Sequence, residues 1–233
     1  MSVGTFVGGL PGVQAAITAA HRLLFRDGTM TSALSGGKII DGTLSRDPDN
    51  TGDVNVLRAG LMMGKVTASG KYAPSVIGVT NTAYTSGDTS IGLTAQAAVE
   101  LARRVGTSGT FTLVGPPSAA GTVVSATVTY SAVNTSTGVV TCTNIGANKI
   151  AGCLVMPTDG SQTPVTFIPD GYGINVFNAA GTAYDQPFSP FPIAGVVTVG
   201  QVINYPSDTS LITWLKGQYA ANTGGVFVFS SNF

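Results

Sequence analysis

The sequence predicts a mainly β protein: a compact barrel- or sandwich-like body with two or three short helices, an inserted β-hairpin subdomain and an extended N-terminal arm. Three observations predict it. Short β-rich runs recur from Val54 onward, punctuated by glycine and other turn residues. The run "TVVSATVTYSA" alternates with a period near two, the pattern of a strand with one wet face. Only two stretches in the body, "TAQAAVELARRVG" and "DTSLITWLKGQYA", carry strong helical patterns.

Residues 1–53 read as an arm. Gly and Pro dominate 4–12, and "VQAAITAAHRLLF" then places Val13, Ile17, Ala20 and Leu24 on one helical stripe. Beyond Asp27-Gly28 the chain is turn-rich, with a brief strand candidate in "KIIDGTL" at 38–44. The body core is expected from 54–82 and 158–205. "VLRAGLMMGKVTA" and "YAPSVIGVT" flank Ser69-Gly70-Lys71, a tight-turn signature. Residues 83–157 form the inserted subdomain. Its helix starts at a Thr94 cap, uses Val99 and Leu101 for apolar contacts and ends with Arg103-Arg104 before Gly106. The strands "GTFTLVG", "GTVVSATVTYSAV" and "GVVTCTNI" follow, the last two joined by the hairpin loop Asn134–Gly138. "GCLVM", "PVTFI", "GINVF" and "IAGVVTV" supply further strands, with a hairpin turn at Asn178–Gly181. Residues 206–233 close the chain. Ser207 or Asp208 caps a second helix whose Leu211, Trp214, Leu215 and Tyr219 line one face, and "VFVFSSNF" reads as a final strand.

Composition narrows the function. The chain has 233 residues, enough to bury a core without disulfides or metals, yet only 9 % are charged, against about 25 % in ordinary soluble domains. Lys plus Arg and Asp plus Glu both number 11, so net charge is zero, a balance that favours association with other protein. The basic residues are scattered, Arg103-Arg104 being the one adjacent pair, which argues against nucleic acid. Mean hydropathy is +0.32, but no apolar run approaches the ~20 residues of a spanning helix, so no membrane partner is expected. The start "MSVGTFVGGLPGVQAAITAA" has no basic residue before Arg22 and lacks the charged opening of a signal peptide. Synthesis in the cytosol is the expectation.

Cys142 and Cys153 lie in apolar strand-like runs and read as two buried small hydrophobes, with a cross-strand disulfide left open. The stretch "DPDNTGDVN", from Asp47 to Asn55, imitates the start of a calcium loop. The twelfth position, which needs a bidentate glutamate, is Arg58, so the stretch reads as a turn. "GLMMGKV" fails as a phosphate loop: three residues separate its glycines, Val66 follows Lys65, and the surroundings read as strand. His21 is the one histidine and sits in the arm. Glu100, the one glutamate, is placed to pair with Arg104 along the helix. No nucleophile elbow, zinc-protease or dinucleotide motif occurs. No catalytic, cofactor-binding or metal-binding residue is assigned, and a non-enzymatic role is expected.

The runs "VLRAGLMMGKVTASGKYAPSVIGVT" (56–80), "AAVELARRVGTSGTFTLVGPPSAAGTV" (97–123), "VTFIPDGYGINV" and "PIAGVV" resemble the lambda-type head decoration, or capsid cement, proteins of tailed bacteriophages. The resemblance covers most of 54–233 and rests on patterns of strand and turn. It implies a homotrimer on the outer surface of an expanded capsid, made in the host cytoplasm, with the major capsid protein as partner and no cofactor. It also implies that residues 1–53 are a docking arm. Lys38, Ile39, Ile40, Asp41, Gly42, Thr43 and Leu44 would then be the strand donated to a capsid sheet edge. Another virion β-protein, such as a tail-tube subunit or head fibre, shares these features. A surface carbohydrate-binding module is the rival of a different class, with Tyr72, Tyr84, Tyr130, Tyr172 and Tyr184 as candidate exposed aromatics.

Overall fold

The computed structural model describes residues 23–25, 32–34, 38–169, 171–222 and 227–230. The arm helix expected over 13–25, His21 included, lies outside them except at its last three residues. In chain order the elements are β1 (Ser32–Leu34), β2 (Ile39–Ile40), β3 (Val56–Leu57), β4 (Met62–Lys65), β5 (Tyr72–Pro74), β6 (Gly78–Val79), β7 (Ser90–Gly92) and α1 (Ala95–Arg104). There follow β8 (Gly109–Gly115), β9 (Val124–Val133), β10 (Val139–Cys142), β11 (Leu154–Met156), β12 (Pro164–Phe167), β13 (Ile174–Asn175), β14 (Gln186–Pro187) and β15 (Phe191–Thr198). After a 3-10 turn at Val199–Gln201, α2 (Thr209–Asn222) and β16 (Phe227–Ser230) complete the described chain. Among the described residues the protein is mainly β with two α-helices, as its sequence predicts.

The largest sheet has the order β6-β11-β8-β9-β10-β7 and curls until its outer strands meet. The bridge between Thr80 and Leu93 and the Asn81 N–H to Gly92 carbonyl bond (3.0 Å) join them. A five-stranded sheet runs β12-β4-β5-β2-β14, a three-stranded one β1-β15-β16, and β13 pairs with β3 alone.

Short apolar runs are explained by burial on both faces. Because side chains alternate across a strand, β4 sends Met62 into one core and Met63 into another. In β11, Leu154 and Met156 enter the first core while Val155 turns to the inside of the curled sheet. β8 divides likewise, with Val114 on one side and Phe111 and Leu113 on the other. The first core also gathers Phe167, Phe227 and the α2 residues Leu211, Leu215 and Tyr219, and Phe167 stacks on Tyr219 at 4.5 Å. The interior of the curled sheet holds Tyr84, Ile91, Val128, Tyr130 and Val140, closed at one side by Ala97 and Leu101 of α1. Gly78 permits that closure, since a Cβ there would stand 2.4 Å from the Ala97 Cβ.

Local signals match the helix ends. The Thr94 hydroxyl accepts the Ala97 N–H at 3.1 Å, capping α1. Asp208 Oδ1 accepts the N–H groups of Ser210 (2.9 Å) and Leu211 (3.1 Å) ahead of α2. One expected pair is corrected. Glu100 forks with Arg103, three residues on, at 2.6 Å through each oxygen. Arg104 instead turns inward to Asp159 at 3.0 Å. Cys142 and Cys153 are both buried free thiols.

Candidate functional site

The 38–44 stretch is stitched into the body. Ile40 is fully buried and pairs in parallel with Tyr72 on one side and with Gln186 on the other, so β2 is an inner strand. The Lys38 carbonyl accepts the Phe188 N–H at 2.9 Å, and the Asp41 N–H donates to the Tyr72 carbonyl at 2.8 Å. Asp41 then closes a tight turn: its Oδ1 accepts the N–H groups of Thr43 (3.1 Å) and Leu44 (3.2 Å) and the Thr43 hydroxyl (2.6 Å). Gly42 sits where a Cβ would stand 2.0 Å from the Tyr184 carbonyl oxygen. Arg103 of α1 reaches over to donate to the Thr43 (2.6 Å) and Leu44 (3.1 Å) carbonyls. The strand expected for donation to another chain is thus corrected in extent and setting. It is two residues long, and both of its hydrogen-bonding edges are occupied from within.

Beside this turn, Arg46 lies over the Phe177 ring at 4.1 Å and donates to the Gly42 (2.9 Å) and Ser45 carbonyls. Burial, and then the neighbouring Arg103 charge, lower its guanidinium to about 10. Arg46, Pro48, Val54, Val99 and Arg103 border an apolar groove of about 160 Å³. Val99, expected to supply an apolar contact of α1, is 52 % exposed there.

The acidic stretch 47–55 is a folded turn. Arg58 donates its Nε to Asp47 Oδ2 at 2.6 Å and Nη2 to Oδ1 at 2.8 Å, occupying both oxygens of a fully buried carboxylate. The Asn50 N–H to Asp47 carbonyl bond (3.0 Å) and the Asp47 N–H to Val54 carbonyl bond (2.9 Å) close the loop. Asp53 Oδ1 accepts the Asn55 N–H at 2.9 Å. The cation that breaks the calcium pattern is therefore the group that holds the turn together. Among the described residues no three His, Cys, Asp or Glu side chains gather as a metal site.

Of the five tyrosines, Tyr72, Tyr84 and Tyr130 are buried in the cores, while Tyr172 and Tyr184 are exposed. The broad feature that residue-by-residue reading missed is the outer face of the curled sheet. "TFT" in β8, "TVT" in β9 and "TCT" running out of β10 lie on adjacent strands. Thr110 stands opposite Thr129, and Thr112 opposite Thr127. The Thr143 hydroxyl donates to the Thr129 carbonyl at 3.3 Å, and the Thr158 and Thr110 hydroxyls meet at 3.3 Å. Threonines thus run in a row across the sheet, and β8, β9 and β10 carry no charged residue. The signal for this face was the repeated Thr-x-Thr spacing, which period-two geometry directs to one side.

A second surface lies at the three-stranded sheet. β1 is its edge strand, all three residues are exposed, and its outer edge is unpaired among the described residues. Leu23 and Leu34 are exposed nearby in sequence, whereas Leu24 and Phe25 are buried in the first core and Phe25 bridges to Val197. Compared with known proteins, the chain matches no family model, no curated protein and no solved structure.

Proposed function

We propose that this chain is a non-enzymatic structural protein of a tailed-phage particle. On this reading it sits on the outer surface of the expanded capsid as a homotrimer, against the major capsid protein, and stabilises the shell against internal DNA pressure. The observation that carries the proposal is the charge-free, threonine-lined outer face of the curled sheet on a chain of zero net charge. Such a face suits extended packing against protein, where charged groups would have to be desolvated. The resemblance of 54–233 to decoration proteins supports the same reading.

Because β2 is an inner strand, the docking edge moves to β1, whose exposed outer edge suits addition of a capsid strand. Binding only the expanded shell stabilises that state by mass action, and many trimers on one shell add their modest contacts. Synthesis in the host cytoplasm and assembly there without a cofactor belong to the same proposal.

The test is co-sedimentation with decoration-free capsids in compact and expanded forms, using the full chain and a variant lacking residues 1–22. This truncation keeps Leu24 and Phe25, which pack in the first core. Saturable binding confined to expanded shells is expected, and the truncation, which leaves β1 in place, should retain it. Absence of binding to both forms overturns the proposal, and spontaneous growth of tubes would point to a tail-tube subunit.

A further inference from the structure

An open cleft of about 430 Å³ lies between the 120–123 loop and the first turns of α2, within the size range of small-molecule sites. Thr122 and Val123 form one wall; Thr209, Ser210, Thr213 and Trp214 form the other. Trp214 is half-buried and packs against the first core with part of its ring system, leaving the rest to line the cleft.

Asp208 builds the cleft. Its Oδ1 caps α2 through Ser210 and Leu211, and its Oδ2 accepts the Ala120 N–H at 3.0 Å. That bond holds Ala120 at φ 57°, a left-handed conformation uncommon for a residue with a side chain. One carboxylate therefore ties loop to helix and sets the separation of the two walls.

The same carboxylate selects the ligand by charge. A bare helix N-terminus attracts anions, but here a carboxylate already stands on it and repels phosphate and carboxylate ligands. Backbone donors, Ala120 first, hold its pKa below the usual aspartate value, so it stays ionised at neutral pH. Three N–H groups already offset this carboxylate, and Asp208 is not among the residues that line the cleft, so a cationic ligand seated there gains no direct salt bridge. The surface that remains is an indole, a valine and four hydroxyl groups.

We propose that this cleft binds a neutral saccharide of one or two rings, with the indole of Trp214 against a C–H face of the sugar and the Thr122, Thr209, Ser210 and Thr213 hydroxyls meeting its hydroxyl groups. A sugar presents an apolar face beside a polar rim without net charge, which is the complement of this lining. The inference is independent of capsid binding, so either can fail alone.

Trp214 is the single tryptophan of the chain, so its fluorescence reports on this cleft directly. The full-length protein is titrated with glucose, galactose, N-acetylglucosamine and their α- and β-linked trimers, with inorganic phosphate and citrate as anionic controls. A saturable emission change for at least one sugar series, matched by heat in calorimetry, is the expected result; the anions give none. A Thr122→Lys, Thr209→Lys double variant, altered at two exposed positions, is expected to bind about tenfold more weakly with unchanged circular dichroism and melting. Silence across all sugars overturns the proposal, as does a response to the anions or undiminished binding by the double variant.

Discussion

In an Arg104→Met variant three partners lose their donor at once. The guanidinium donates to the Pro74 carbonyl at 2.5 Å, to Asp159 Oδ2 at 3.0 Å and to the Ser161 hydroxyl at 2.6 Å. It thereby ties α1 to β5 and to the turn ahead of β12. Its side chain is 1 % exposed and that of Asp159 is 29 % exposed. Removing one partner of a buried ion pair costs about 3–5 kcal/mol. Two features place this case at or just below the lower end. Water reaches Asp159, which also keeps the Ser161 hydroxyl at 2.6 Å. The buried Arg104 Nε has no partner among the described residues, and that cost, about 1 kcal/mol or more, vanishes with the side chain. The expected loss is about 2–3 kcal/mol, read from urea denaturation at neutral pH. Acid titration gives an independent readout. Burial alone would raise the Asp159 carboxyl, but the Arg104 charge and the Ser161 donors outweigh it and hold the value below 3.8. A carboxyl depressed in the folded state contributes stability above its unfolded value that is lost as pH falls through the folded one. The stability of Arg104→Met should therefore fall less steeply below pH 3.8 than that of the parent. A double-mutant cycle with Asp159→Asn isolates the pair. A loss under about 0.5 kcal/mol, the level of an ordinary surface substitution, would refute the claim that this arginine locks the sheets together.

Three further outcomes follow from the geometry. Asp47→Ala strands Arg58 beside a buried turn and should cost about 3 kcal/mol in the same denaturation assay, whereas neither calcium nor a chelator should move the melting temperature of the parent. Burial pushes the Cys153 thiol up to about 11 from an ordinary value of 9.0; its neutral form therefore stabilises the fold below pH 9, and that contribution is lost as pH rises toward 11. Iodoacetamide at pH 8 should leave both buried cysteines unlabelled until denaturant is added, and Cys153→Ala should flatten the alkaline loss of stability. Gly64→Ala brings a methyl group to 2.0 Å from the Ser161 carbonyl oxygen and 2.7 Å from that of Thr163, both backbone atoms, and should lower stability by about 3 kcal/mol, measured by thermal melting.

What could be read from the sequence was what is decided locally. The hairpins β4–β5 and β9–β10 pair across their expected turns because glycine and asparagine at fixed offsets direct the chain back on itself. Thr94 and Asp208 cap their helices through side-chain oxygens only two or three residues from the N–H groups they satisfy. Misreadings arose where a distant partner decides. "KIIDGTL" has the apolar start of a strand, but whether its edges are free depends on Tyr72 and Gln186, far along the chain. Glu100 had Arg103 and Arg104 within reach; helix spacing favoured the second, yet Asp159 draws that side chain inward. The helical pattern places Trp214 in the core and it is partly so, but the cleft beside it exists because Asp208 also binds Ala120, eighty-eight residues earlier.

The same reasoning bears on the 83–157 insertion. Its sequence reads as an inserted subdomain of helix and hairpins, and most of its apolar side chains do face the inside of the curled sheet. Yet that sheet takes its edge strand β6 from the preceding segment. On their other side, Val114, Leu154 and Met156 form part of the first core together with Leu211, Leu215 and Phe227 from the C-terminal segment. Arg104 then joins the insertion to β5 through a part-buried bond to the Pro74 carbonyl. Removing 83–157 would open one wall of the core that also holds Leu24 and Phe25, the residues through which the N-terminal segment reaches the body. The insertion is thus continuous with the structure that anchors the proposed docking edge, and its threonine face stands on the sheet that shares this core.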